Sequence, residues 1–266
     1  MPRFLFLLIT LLLVSCATER ASELYIPREL DEIYDSAVNL LEDEEYDLAA
    51  NEFLNIEKEY PYSIWSEKAI VMAGFALYQG GKYENSVTQY NRYLQLYPNG
   101  DYNAYVNYLM GVSYYLQIAN LGRDQQNAKK ALKQFNLILE RYSETDYAAD
   151  ARLKKDLAMD HIAGEEMEIG RFYLKKNYFS AAINRFKVVI TNYQTTSHIE
   201  EALARYAEAY MSMGIYSEAQ TAAAILGYNY PNSDWYEYTY NQLIMGGIEP
   251  QENTNSWVSK AWKSIS

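Results

Sequence analysis

The sequence predicts an all-α fold: a solenoid of five helix-turn-helix repeats, with a long helix joining repeats three and four and a capping helix at the carboxyl end. Three observations predict it. From Leu30 onward an aromatic, a small residue, a second aromatic and a closing tyrosine recur along the chain. A small residue stands at a matching place upstream of each recurrence. Apolar residues around both fall at the three- and four-residue spacing of amphipathic helices.

Ahead of the repeats lies a leader. Arg3 carries the early positive charge, Phe4 to Val14 is apolar apart from Thr10, and Leu13-Val14-Ser15-Cys16 follows at once. This reads as a secretory signal. Its apolar run of eleven residues is well short of the roughly 20 that a helix needs to cross a bilayer. The string Leu-Val-Ser-Cys resembles the lipobox of bacterial lipoproteins. That resemblance implies cleavage before Cys16, acylation of its thiol, and a membrane hold through the acyl groups. Cys16 is the only cysteine, so no internal disulfide is available to it, and acylation accounts for an otherwise unpaired thiol in an exported chain. Ala17 after the cysteine resembles the signal for passage to the outer membrane. Residues 17–28 lack periodic apolar positions and read as a tether of at most roughly 40 Å.

In the first repeat the recurring residues are Tyr46, Ala49, Phe53 and Tyr60-Pro61. The second has Tyr83, Ser86, Tyr90 and Tyr97-Pro98, a spacing of 37 residues. The third has Ala131, Phe135 and Tyr142; the fourth Phe179, Ala182, Phe186 and Tyr193; the fifth Tyr216, Ala219, Ala223 and Tyr230-Pro231. The upstream small residues are Ala37, Gly74, Gly111, Gly170 and Ala207. Glycine inside a helix costs about 1 kcal/mol against alanine, so three at one repeat position predict a steric need. Close backbone contact between helices is the expected form of it.

Two departures from the repeat are informative. Gly111 to Ala131 is 20 residues where Gly74 to Ser86 is 12, which places an insertion of eight, an irregular loop, around Asn120-Leu121-Gly122-Arg123. Tyr142 to Gly170 is 28 where Tyr60 to Gly74 is 14, and the extra residues lengthen the first helix of repeat four by about four turns. Asp234 to Met245 reads as a helix covering the last repeat's apolar face. After a Gly-Gly-Ile-Glu-Pro linker, Trp257, Val258, Ala261, Trp262 and Ile265 fall on one side of a short helix. That strip fits a frayed tail, a segment docking back onto the solenoid, or a partner-binding peptide. The chain thus divides into a signal peptide (1–15), a lipidated cysteine and tether (16–28), repeats one to three (29–143), repeats four and five with the cap (144–245), and a linker with a tryptophan-containing tail (246–266).

Composition narrows the function classes. With 266 residues, 49% of them apolar, the chain can bury a sizeable core. Its net charge of −12 repels phosphate backbones, which argues against nucleic acid as a partner. Twenty-eight tyrosines supply rings with polar tips, suited to half-wet surfaces. His161 and His198, the only histidines, stand in separate repeats without a further ligand at metal spacing. Gly80-Gly81-Lys82 lacks the longer glycine-rich loop and following Ser/Thr of a phosphate cradle and reads as an inter-helix turn. The acidic strings Asp43-Glu44-Glu45 and Glu165-Glu166 read as solvated carboxylates. No catalytic, metal or cofactor constellation emerges, and the expectation is a protein that is not an enzyme.

The order small, small, aromatic, proline in Gly74, Ser86, Tyr90 and Pro98 resembles the tetratricopeptide repeat, over about 200 residues. In such solenoids the first helices line a concave groove. That resemblance places Tyr34, Val38, Leu41, Phe75, Tyr78, Tyr105, Tyr108, Val112 and Tyr115 on an aromatic wall suited to an extended hydrophobic peptide. The same positions in repeats four and five are Met167, Arg171, Leu174, Ala204, Glu208 and Met211, smaller and more charged. The two halves are expected to prefer different partners.

The lipobox, the tether, the five repeats and the elongated helix, with Glu32-Ile33-Tyr34, Tyr60-Pro61 and Asn184-Arg185, resemble the BamD/competence-lipoprotein family. The resemblance implies a non-enzymatic assembly factor, lipid-anchored in the outer membrane and facing the periplasm. It implies that the amino-terminal repeats bind the carboxyl-terminal signal of unfolded outer-membrane β-barrel proteins. The carboxyl-terminal repeats would dock onto the periplasmic domains of BamA, alongside other Bam lipoproteins, with Arg185 as a BamA contact. The residues also fit a different outer-membrane repeat lipoprotein scaffold, a pilotin or a cell-envelope constriction factor.

Overall fold

A computed structural model describes residues 28–119 and 125–264. Among the described residues every regular element is an α-helix. Five consecutive hairpins pair α1 (Leu30–Glu42) with α2 (Tyr46–Glu59), α3 (Ile64–Gln79) with α4 (Tyr83–Leu96), α5 (Asn103–Tyr115) with α6 (Gln126–Arg141), α7 (Tyr147–Lys175) with α8 (Phe179–Asn192), and α9 (Ile199–Ser212) with α10 (Tyr216–Asn229). Helix α11 (Asp234–Met245) follows, then α12 (Trp257–Lys263). From α1 to α11 each helix packs on the next, and the first helices also touch one another, α3 on α5, α5 on α7 and α7 on α9. The expected all-α solenoid is present. None of its described helices is long and apolar enough to cross a membrane. The signal peptide, Cys16 and the tip of the insertion at 120–124 lie outside the described residues.

The hairpin turns share one device. Glu44, Gly81, Asn177 and Gly214 each sit after a first helix with φ between 62° and 73°. Each allows the next residue's N–H to reach back five residues along the chain: Glu45 to the Leu40 carbonyl, Lys82 to Leu77, Tyr178 to Tyr173 and Ile215 to Tyr210, at 2.8 to 3.0 Å. This is the left-handed helix stop that glycine adopts without strain. Glu44 holds it at a cost, since a β-carbon disfavours that region. We expect Glu44→Gly to raise stability by about 0.5–1 kcal/mol, read as a higher melting temperature, and Gly81→Glu to lower it by a similar amount.

The repeat glycines meet side chains, not backbone. A β-carbon on Gly74 would stand 2.4 Å from the Tyr90 ring, one on Gly111 2.7 Å from Phe135, and one on Gly170 2.4 Å from Phe186. The expected need for space is real, but its cause differs from the expectation of backbone approach: the second aromatic of each repeat lies flat over the glycine of the same repeat. All three rings are fully buried. Where the ring is missing, at Ala223, the upstream residue is Ala207, and both are buried. Ser86 takes the place of alanine without penalty because its hydroxyl donates to the Gly74 carbonyl at 2.8 Å.

Helix α7, 29 residues long, belongs to two cores. Near its start Ala148 and Ala151 join Val112, Ala131, Phe135 and Ile138 of repeat three. Further along, Ala163 and Met167 join Ala182, Phe186 and Val189 of repeat four and residues of repeat five. Ala158 and Ile162, between the two groups, are also buried. At the carboxyl end α11 packs on α9 and α10, and Leu243 closes the last core.

The tryptophan tail docks back. Helix α12 lies against α8 and α10, with Val258 and Ser259 fully buried. Glu218 is the clasp: one carboxylate oxygen accepts from the Trp257 N–H at 2.9 Å and the other from the Tyr206 hydroxyl at 2.9 Å. The Lys187 ammonium stands 4.3 Å from the Trp257 ring. The linker before it is pinned as well, by Gln220 to the Glu249 carbonyl and by Thr221 to the Asn253 N–H.

Candidate peptide-binding groove

The first helices carry the candidate wall, and each expected residue lies on one of them. Tyr34 on α1 is half-buried, its ring 5.9 Å from Phe53 and 5.2 Å from Trp65. Val38 and Leu41 are half-buried beside it against the core of repeat one. On α3, Phe75 and Tyr78 stack 6.4 Å apart, and Tyr78 also leans on Tyr83. On α5, Tyr105 and Tyr108 both pack on Tyr147 at the start of α7, at 5.6 and 5.1 Å. Tyr115 meets the edge of Phe135. Val112 departs from the expectation: it is only 5% exposed, inside the core shared with Ala131 and Phe135, and offers no surface to a ligand. It occupies the position next to Gly111, where the chain turns from wall to core.

The rings are held by ordinary polar chemistry. The Tyr108 hydroxyl donates to Asp150 at 2.7 Å, and Lys154 holds the same carboxylate at 2.6 Å. Burial raises the Tyr108 pKa, and the bond to Asp150 raises it further. Burial, then the neighbouring Tyr147 and Tyr78, push Tyr105 up to about 12. These hydroxyls therefore stay protonated donors at neutral pH.

An open pocket of ≈ 400 Å³ lies where α3, α5 and the start of α7 meet, lined by Lys68, Val71, Met72, Asp101, Tyr102, Ala104, Tyr105, Thr145 and Tyr147. Only Tyr105 of these was expected from the sequence. The Gly170 register does not reach Tyr147, because the long helix carries its first turn back to repeat three. Met72 and Lys68 had a signal: they precede Phe75 by three and seven residues, the spacing of one helix face.

The other half differs. Met167 and Ala204 are fully buried core residues and cannot line a surface. Arg171 bridges Glu168 and Glu201, both at 2.8 Å, and Glu208 accepts from Arg205 at 2.7 Å. Leu174 and Met211 are half-buried against the core. Arg185 on α8 donates to Glu166 at 3.1 Å, with 41% of its side chain exposed against 13% for the glutamate. Its guanidinium therefore already has one carboxylate and keeps donors free for a second.

His161 bonds the Ala119 carbonyl at 2.8 Å, and His198 stands 3.7 Å from Asp160. Among the described residues no group of three or more histidine, cysteine or acidic side chains is placed to hold a metal ion.

Comparison with known proteins places these features among relatives. The family model described as "YfiO: Outer membrane lipoprotein" matches residues 28–226. A protein of Caulobacter vibrioides described as outer membrane protein assembly factor BamD is 40% identical over 226 residues, covering 85% of this chain and 74% of that one. One of Rickettsia prowazekii with the same description is 41% identical over 234 residues, covering 88% and 93%. Among solved structures, the TPR2AB domain of yeast Sti1 superposes with a TM-score of 0.39 at 12% identity, covering 88% of this chain and 97% of that one, too loosely to argue from.

Proposed function

Because the chain belongs to the YfiO outer membrane lipoprotein family, with relatives described as outer membrane protein assembly factor BamD, we propose that it is a non-enzymatic assembly factor of the outer membrane. The amino-terminal repeats take the carboxyl-terminal segment of unfolded β-barrel proteins, and the carboxyl-terminal repeats dock onto BamA and its associated lipoproteins. Acyl groups on Cys16 keep the solenoid at the periplasmic face of the membrane.

The observation that carries the client-binding half is the pocket at the meeting of α3, α5 and α7, with Tyr105 and Tyr147 on its wall and Met72 beside them. Half-buried rings give a large contact area at little entropic cost, which suits an extended apolar chain of variable sequence. For the partner-binding half, the support is Arg185, exposed on α8 with donors left over after its bond to Glu166.

The double variant Tyr78→Ala/Tyr105→Ala tests the first half. Among the described residues neither hydroxyl forms a hydrogen bond whose loss would unfold the repeat, unlike that of Tyr108 with its bond to Asp150. Binding of a barrel-derived peptide, followed by fluorescence anisotropy, should weaken about tenfold or more, while co-purification of BamA persists. Unaltered peptide affinity in a variant with an unaltered melting temperature removes the groove from the account.

A further inference from the structure

We propose that Lys68 is the anchor for a free carboxylate, so that the pocket between α3, α5 and α7 selects the terminal residue of its peptide rather than an internal stretch. This rests on the reading of that pocket as the client site. Several basic side chains around the wall are neutralised within the chain: Arg28 by Glu52, Lys82 by Asp47, Arg92 by Glu57 and, at the start of α7, Lys154 by Asp150. Lys68, the one basic side chain on the lining of that pocket, is held by rings instead. Its ammonium lies 5.1 Å from the centroid of the Tyr34 ring and 5.1 Å from that of Trp65, and among the described residues it forms no ion pair.

Two rings hold a cation in place through their electron-rich faces without cancelling its charge. The ammonium has three donors, and the ring faces leave outward-pointing N–H groups for a ligand. Lys68 is half-buried and lines the same pocket as Tyr105, Tyr147, Val71 and Met72. Asp101 also lines it, but is exposed, so water screens its charge. A positioned cation beside an apolar recess, in a chain of net charge −12, complements one kind of guest: an apolar or aromatic side chain on the same residue as a carboxylate. In a polypeptide only the last residue offers both.

The test compares two fluorescent peptides of identical sequence, alternating in apolar residues and ending in phenylalanine, one with a free terminal carboxylate and one amidated. The full mature chain should bind the free acid about fivefold more tightly than the amide, the scale of one charge-assisted hydrogen bond at a half-exposed site. Lys68→Met keeps the apolar stem and should bind both peptides alike; Lys68→Arg keeps the charge and should restore the preference. The proposal is overturned if Lys68→Met still prefers the acid, or if the unaltered chain binds acid and amide equally while Tyr105→Ala weakens both. That second outcome leaves the groove standing without the anchor. Absence of binding to either peptide removes the groove reading itself and the anchor with it.

Discussion

Replacing Phe186 by alanine is expected to cost about 3–5 kcal/mol of unfolding free energy. The ring is fully buried, it lies over Gly170 of the long helix, and it belongs to the core that also holds Tyr206, Leu226 and Leu243. Its removal leaves a space that α7 cannot easily fill, because the helix is held against both α8 and α9. Gly170→Ala alone should also destabilise, by about 1 kcal/mol net. The forced displacement of the ring costs about 1–3 kcal/mol, and the better helix propensity of alanine returns about 1 kcal/mol. The double variant is the informative measurement. With the ring gone, the added methyl enters vacated space and keeps its propensity gain, so Gly170→Ala/Phe186→Ala should be more stable than Phe186→Ala by about 1 kcal/mol. Simple additivity of the two losses in urea melts contradicts the ring-over-glycine geometry.

The second large effect concerns the membrane. A chain exported through an ordinary cleavable leader, with alanine in place of Cys16, should fail to float with lipid vesicles, whereas the acylated form floats. Each buried methylene contributes about 0.8 kcal/mol, and stable anchoring takes more than one chain. Nothing else in the described residues compensates: no helix is long and apolar enough to cross a bilayer, and the net charge of −12 disfavours anionic lipid. Equal flotation of the two forms would place the membrane contact on the folded part of the protein instead.

Much of this fold can be read from the one-dimensional pattern, because the pattern is local. Helix pairs are set by neighbours in sequence, so Tyr83, Ser86 and Tyr90 announce their helix wherever they stand. Even the ring-over-glycine contact had a trace: Gly74 precedes Tyr90 and Gly170 precedes Phe186 by the same 16 residues, and Gly111 precedes Phe135 by that distance plus the insertion. What the pattern conceals is contact between distant segments. Val112 shares the spacing of the wall residues Tyr108 and Tyr115, but beside Gly111 the helix turns inward and buries it. Tyr147 was overlooked because a helix serving two cores has no single register to count from. The docking of Trp257 depends on Lys187, Tyr206 and Glu218 converging from three helices, and no spacing in the sequence brings them together.

The continuity of α7 has a mechanical consequence. At 1.5 Å per residue its 29 residues make a strut of about 44 Å, with its first turn forming part of the tyrosine pocket and its last turns buttressing the helix that carries Arg185. No loop intervenes that could fold the two ends toward each other. On the proposed function, cargo received at one end and a machine gripped at the other would be kept at a fixed stand-off, and handing one to the other would come from movement of the whole lever rather than from bending within it.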